Sequence, residues 1–286
     1  MKKSRVSKTA QVNLMMLADL GIEEAVHFRN IMGFTDNPLD IFAHIPMASR
    51  LPLCISMVSE ILYQRTNQLI FEKDSPIILD LACGYSPRVL KVCDRQHTYI
   101  GVDLSDVVGR LKAHRKELIH ETNDYYSIDL TKREEMEALA VNLKAPVTVI
   151  TQGLLTYLTV DQKSVLMENI RSLLEKAGGC WIIPDAAPDR MLPEIFSSVL
   201  GSGAVQIFSQ VMKIVDAAVR RDKDKIGWKS TEEICSALKQ SGFRVERVPL
   251  YTDSLEMRSL EKVSPDQAEK LKENWRKTDA LIVTLA

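Results

Sequence analysis

Ile77-Ile78-Leu79-Asp80-Leu81-Ala82-Cys83-Gly84-Tyr85-Ser86-Pro87-Arg88 is the stretch on which the fold turns. Ile77 to Leu81 is a short apolar run of strand length, and Pro87 to Arg95 predicts the helix after it. Between them, small residues at 82, 84 and 86 alternate with larger ones. That spacing lets backbone approach a ligand closely, with the free N–H groups of the helix start facing it. Asp103 ends the next apolar run, 23 residues after Asp80. An acid at that distance can accept hydrogen bonds from two ribose hydroxyls. A nucleoside-containing ligand is the expectation.

Working outward, short apolar runs keep alternating with amphipathic stretches. Strands are predicted at Thr98–Asp103, Tyr125–Asp129, Pro146–Thr151 and Cys180–Ile183. Helices are predicted at about Asp106–His120, Lys132–Asn142 and Asp161–Lys176, the last stopped by Ala177-Gly178-Gly179. A helix over Thr231–Ser241 and strands at Phe243–Leu250 and Ala280–Leu285 follow. This is a βαβ pattern, and near-continuous apolar strands fit a parallel sheet covered on both faces. Seven strands are expected. Residues 1–74, mostly helical with a loop from Gly33 to Pro46, and a helical insertion at about 188–226 lie outside the pattern. Both are placed to cap the carboxyl edge of the sheet, where open α/β sheets bind ligands.

Composition narrows the function. The 286 residues are 45% hydrophobic and 26% charged, with 37 Lys+Arg against 38 Asp+Glu. Such balance fits a soluble globular chain of one or two domains. It lacks the basic excess of a nucleic-acid binder. No apolar run approaches the ~20 residues of a membrane span. The five cysteines (Cys54, Cys83, Cys93, Cys180 and Cys235) are odd in number and form no C-x-x-C, against disulfides or a zinc ribbon. A reducing, cytoplasmic setting is the expectation. The five histidines show no metal spacing, so no metal is expected.

The ligand class follows from what the loop lacks. Pyrophosphate of a dinucleotide wants G-x-G-x-x-G, and only Gly84 is present; the P-loop pattern is absent. The run Asp80 to Ser86 resembles the first motif of class I S-adenosylmethionine methyltransferases, with Ala82 and Ser86 where glycines are usual. A second run, Val149-Ile150-Thr151-Gln152-Gly153-Leu154-Leu155-Thr156-Tyr157-Leu158, is similar to the E-G-L-x-x-Y-L segment of the leucine carboxyl methyltransferase family. That family includes bacterial O-methyltransferases of polyketide-type small molecules. Gln152 replaces its usual Glu. The resemblance covers about residues 45–185.

The resemblance implies a Rossmann-like α/β fold with a seven-stranded, mostly parallel sheet and helical lid regions. It divides the chain into a lid, 1–74, and a cofactor-binding methyltransferase domain, 75–286. It implies S-adenosylmethionine as cofactor and S-adenosylhomocysteine as product. By the same resemblance, Arg50 would meet the cofactor carboxylate, and Asp80, Ala82 and Gly84 would line the methionine part. Asp103 would hold the ribose, Asp129 and Leu130 would lie beside the adenine, and Gln152 and Gly153 would sit near the reacting methyl. Tyr157 would face the substrate or pack beneath it, as the one candidate catalytic residue. The expected activity is O-methylation of a carboxylate or hydroxyl on a small molecule, or on a protein carboxyl terminus, without nucleic acid or membrane, by a monomer or homodimer.

Displacing methyl from a sulfonium releases a neutral thioether, so alignment in a dry site does most of the work. A carboxylate acceptor needs no base, and a hydroxyl benefits from one. No His/Asp pair stands in the core motifs, which favours a carboxylate or an acidic enol or phenol, unless His44 or Asp185 converges on the site. Two other classes remain open: a nicotinamide-dependent oxidoreductase, and a non-catalytic adenosyl-ligand-binding protein of the same fold. Cys83 reads as a small buried thiol rather than a nucleophile.

Overall fold

The computed structural model describes residues 5–35, 50–92, 97–118, 123–186, 188–201, 204, 206–207, 209–210 and 230–286. Most of the loop ending at Pro46, with His44, lies outside them. So do Cys93, Arg95, His120 and most of the second half of the insertion at 188–226.

Strands β1 (Ile77–Leu81), β2 (Thr98–Asp103), β3 (Asp124–Ser127), β4 (Val147–Ile150), β5 (Gly179–Ile183), β6 (Phe243–Pro249) and β7 (Asp279–Leu285) form one sheet. Its order is β3-β2-β1-β4-β5-β7-β6. The first five strands are mutually parallel, and β7 runs antiparallel to both neighbours. The sheet is therefore seven-stranded and mostly parallel, as expected. Strand order reverses between β1 and β4, so the loops leaving these two strands diverge and open a crevice at the carboxyl edge.

Helices in chain order are α1 (Arg5–Asp19), α2 (Glu23–Met32), α3 (Leu51–Lys73), α4 (Arg88–Val92), α5 (Ser105–Ala113) and α6 (Arg115–Leu118). They continue as α7 (Arg133–Asn142), α8 (Val160–Ala177), α9 (Pro188–Leu200), α10 (Thr231–Gln240) and α11 (Pro265–Arg276). Alternation along the strands feeds two separate cores. Ile78, Cys180, Ile182, Ala280 and Ile282 pack with the layer of α1, α2, α3 and α9. Leu79, Leu81, Val149, Trp181, Ile183 and Val283 pack with α7, α8 and α10. Apolar residues on both faces explain why these strands read as continuous rather than alternating runs.

Helix α3 ties the first core together. Its Glu60 is fully buried, and its two carboxylate oxygens accept the backbone N–H groups of Arg258 and Ser259 at 2.8 Å each. Helix α8 begins with a capping box between Thr159 and Gln162 and ends at Gly178, whose positive φ of 74° suits only glycine, where the glycine stop was expected.

Three elements differ from the sequence expectation. The helix expected from Asp106 to His120 breaks at His114 into α5 and α6. β3 covers Asp124–Ser127, so Asp129 stands in the following loop. The sequence reading places no helix between the last two strands, yet α11 stands there before they pair antiparallel at the sheet edge. Only Leu271 and Trp275 of α11 are buried, too thin an apolar stripe to announce a helix.

Candidate functional site

A cavity of about 310 Å³ lies at the carboxyl edge where the β1 and β4 loops diverge. The β1 loop builds its floor. Ala82 (φ 56°) and Gly84 (φ 55°) both adopt the left-handed conformation. For a residue with a Cβ this costs roughly 1–2 kcal/mol, so Ala82 is strained beside the cavity. At Gly84 there is also little room: an added Cβ would stand 3.3 Å from the Ala10 Cβ of α1, which would have to give way slightly. Helix α1 is thus laid directly on the loop, and its Ala10, Asn13, Leu14 and Leu17 form one wall.

Asp103 leaves β2 on the same wall. Its Oδ2 accepts the Gly84 N–H at 2.7 Å and its Oδ1 accepts the Leu104 N–H at 2.7 Å. A carboxylate has about four lone-pair directions, so each oxygen keeps one for a ligand hydroxyl. Burial pushes the Asp103 carboxyl above the usual range, against the two backbone donors that lower it. Asp129 accepts from the Thr131 N–H (3.1 Å) and hydroxyl (2.7 Å), which hold its carboxyl below the usual range. Leu130 is buried beside it, its carbonyl accepting from Asn169 at 3.0 Å.

On the β4 side, Gln152 and Gly153 reach the cavity, followed by a 3-10 turn, Leu155–Tyr157. Gly153 (φ 75°) donates its N–H to Asp185 Oδ2 at 2.9 Å. Asp185 follows β5 and is buried just behind the wall, its Oδ1 without a hydrogen-bond partner among the described residues. Burial pushes its carboxyl up to about 6. Tyr157 lines the cavity with 47% of its surface exposed.

The structure therefore gathers Asp80, Ala82, Gly84, Asp103, Asp129, Leu130, Gln152, Gly153 and Tyr157 around one cavity. Arg50 is not among its lining residues. It caps α3 and donates through Nη1 to the Val199 carbonyl of α9 at 3.2 Å. The residue that sequence reasoning passed over is Arg88, at the start of α4. It is 1% exposed, lines the cavity, and pairs through Nη1 with Asp80 Oδ2 at 2.5 Å. It also donates through Nη2 to Gln152 Oε1 at 2.7 Å and through Nε to Asn67 Oδ1 at 2.9 Å. Burial alone would lower the guanidinium pKa, but Asp80 and the Tyr99 and Tyr63 hydroxyls raise it further, so Arg88 stays charged. One signal was available: a cation in the first turn of a helix opposes the helix dipole and needs a reason to be there.

The Cys83 thiol is pushed well up by burial and by the nearby Asp103 and Asp80 carboxylates, as suits an inert thiol. Among the described residues, no group of three His, Cys, Asp or Glu could hold a metal ion. None of their helices is long and apolar enough to cross a membrane.

No family model matches the chain, and no curated protein matches it. Solved structures do. An O-methyltransferase family protein from Burkholderia thailandensis is similar at 15% identity and a TM-score of 0.47, over 86% of this chain and 61% of that one. The mitomycin 7-O-methyltransferase is similar at 10% identity and 0.47, over 87% and 60%. The magnesium protoporphyrin IX methyltransferase from Synechocystis PCC 6803, with bound S-adenosylhomocysteine, is similar at 12% identity and 0.45, over 91% and 93%. The chain thus spans about 61% of the length of the Burkholderia protein. With TM-scores below 0.5, none of these likenesses carries the functional reading, which rests on this chain's own residues.

Proposed function

We propose that the chain is an S-adenosylmethionine-dependent O-methyltransferase acting on a small molecule. The observation that carries this is the contact of Gly84 N–H with Asp103 on the cavity wall. It joins a bare backbone loop to an acid with lone pairs to spare, at the switch point of a parallel sheet. The residues present fit an adenosyl amino acid. Asp103 would accept from the ribose hydroxyls. The Gly84 backbone, with no Cβ between it and the cavity, would lie along the methionine part. Asp129 and Leu130 would flank the base, and Gln152 and Gly153 the reacting end.

Bound there, S-adenosylmethionine supplies a methyl on a sulfonium whose departure needs no acid. The chain's own contribution is alignment and dryness. Leu14, Leu17, Leu154 and Leu158 give the cavity apolar walls, which strengthens electrostatic effects inside. Tyr157, half-exposed in the lining, would orient the acceptor.

Electrostatics bears on that acceptor. The charged residues in the described lining are Asp80, Asp103, Asp129 and Arg88. Three carboxylates against one guanidinium repel an anionic acceptor. A hydroxyl that arrives uncharged is therefore favoured over a carboxylate, and of the acceptors left open by the core motifs this keeps the enol or phenol.

Calorimetric titration with S-adenosylmethionine, S-adenosylhomocysteine and NADH tests the reading. Micromolar binding of both adenosyl ligands without NADH is the expected result. Binding of NADH alone, or of none of the three, would overturn it.

A further inference from the structure

Arg88 is the only cation in the described lining, yet a ligand with an amino-acid end brings a carboxylate to this cavity. The carboxylates of Asp80, Asp103 and Asp129 cannot receive it. Arg50, implied for the task by family resemblance, donates instead to a carbonyl of α9.

The hydrogen bonds of Arg88 leave room for one more. A guanidinium has five N–H donors. Nε serves Asn67, Nη1 serves Asp80 and, at 3.4 Å, the Ser86 hydroxyl, and Nη2 serves Gln152. One Nη2 N–H is left without an acceptor among the described residues. Asp80 is the counterpart. Its Oδ2 accepts from Arg88 and from the Tyr99 hydroxyl at 3.0 Å. Its Oδ1 has no hydrogen bond among the described residues. The pair thus lines the cavity with one donor and one acceptor in reserve, the complement of a zwitterion. An ion pair kept this dry gains little stability over apolar packing. The cost is understandable if the pair receives a ligand.

We propose that Arg88 anchors the carboxylate of the ligand's amino-acid end, with Asp80 facing its ammonium. Asn67 and Gln152 hold the guanidinium plane from either side. This inference rests on the adenosyl-ligand reading above and names which residue grips the end distant from the adenine.

The test compares three ligands by calorimetry: S-adenosylhomocysteine, its decarboxylated analogue, and 5′-methylthioadenosine, which lacks the amino-acid end. The wild-type chain is expected to prefer S-adenosylhomocysteine over the decarboxylated analogue by about 10- to 100-fold, the worth of a charge-assisted hydrogen bond. Arg88→Met is expected to erase that preference while leaving 5′-methylthioadenosine within about threefold, as the same arithmetic gives for a contact not touched. An Arg88→Met chain that weakens all three ligands equally makes Arg88 a brace for Asp80 and overturns the assignment. So does loss of the preference in Arg50→Met instead. Should Arg88→Met not fold, a wild-type chain indifferent to the carboxylate overturns it alone. Wild-type binding of 5′-methylthioadenosine and S-adenosylhomocysteine with equal affinity sinks the anchor and spares the adenosyl reading; binding of neither sinks both.

Discussion

The carboxylate of Asp103, at the end of β2, accepts the backbone N–H of Gly84, in the loop after β1, at 2.7 Å. One side chain therefore fixes the loop and keeps lone pairs for a ligand. Asp103→Ala is expected to weaken S-adenosylhomocysteine binding by about 100-fold or more, since two charge-assisted hydrogen bonds go at once. The far-UV circular dichroism should match the wild type. Unchanged affinity in a folded variant would remove Asp103 from the site.

Positions 82 and 84 share a backbone conformation and should respond oppositely. Gly84→Ala adds strain of roughly 1–2 kcal/mol and presses a methyl toward Ala10 of α1. Both stability and ligand affinity should fall. Ala82→Gly relieves the strain at φ 56°, against an entropy cost of about 0.4–1 kcal/mol in the unfolded chain. Its stability should be unchanged or higher by up to about 1.5 kcal/mol by the same terms. Urea unfolding of the two variants measures both.

Asp185 gives stability a pH dependence of known sign. Its carboxyl is raised from 3.8 to about 6 by burial. Between those values the folded chain holds a proton that the unfolded chain has released. The contribution of Asp185 to stability then falls as pH rises from about 4 to about 6 and levels off above. The loss amounts to about 3 kcal/mol at the full shift. Asp185→Asn, whose amide oxygen can still accept from Gly153, should flatten this slope. Urea midpoints of both chains across that range decide it; parallel curves would exclude a raised Asp185.

Glu60 offers a stability test remote from the cavity. Glu60→Ala strands the N–H groups of Arg258 and Ser259, both now satisfied by one carboxylate. The expected cost is about 2–5 kcal/mol for two unsatisfied donors. Glu60→Gln keeps one strong acceptor and should cost less than half as much. Thermal melts with and without S-adenosylhomocysteine would show the loss in both states.

What the sequence could disclose divides along physical lines. β1, β4 and β5 were legible because burial on both faces demands near-continuous apolar runs. Asp103 and Gly84 were legible because a strand, a turn and an acid at a set spacing are local facts. Helix α11 went unread although Ser264-Pro265-Asp266-Gln267 is a local helix-start signal, because only two buried side chains follow it and no apolar stripe does. The place of Arg88 was hidden for another reason. Its partners Asn67, Asp80 and Gln152 come from α3, β1 and the β4 loop, and only the closed sheet brings them together. Arg50 shows the converse: a matching residue type ahead of β1, turned to α9 by the packing of α3.

Because Ala10, Asn13, Leu14 and Leu17 wall the cavity, whatever fills it also presses on α1. The amides of that helix then become an external gauge of occupancy. Their hydrogen–deuterium exchange should slow with the cavity filled, in a segment some 70 residues upstream of the loop it covers. Screening unknown acceptors can therefore begin from a peptide map of α1, before any turnover assay exists.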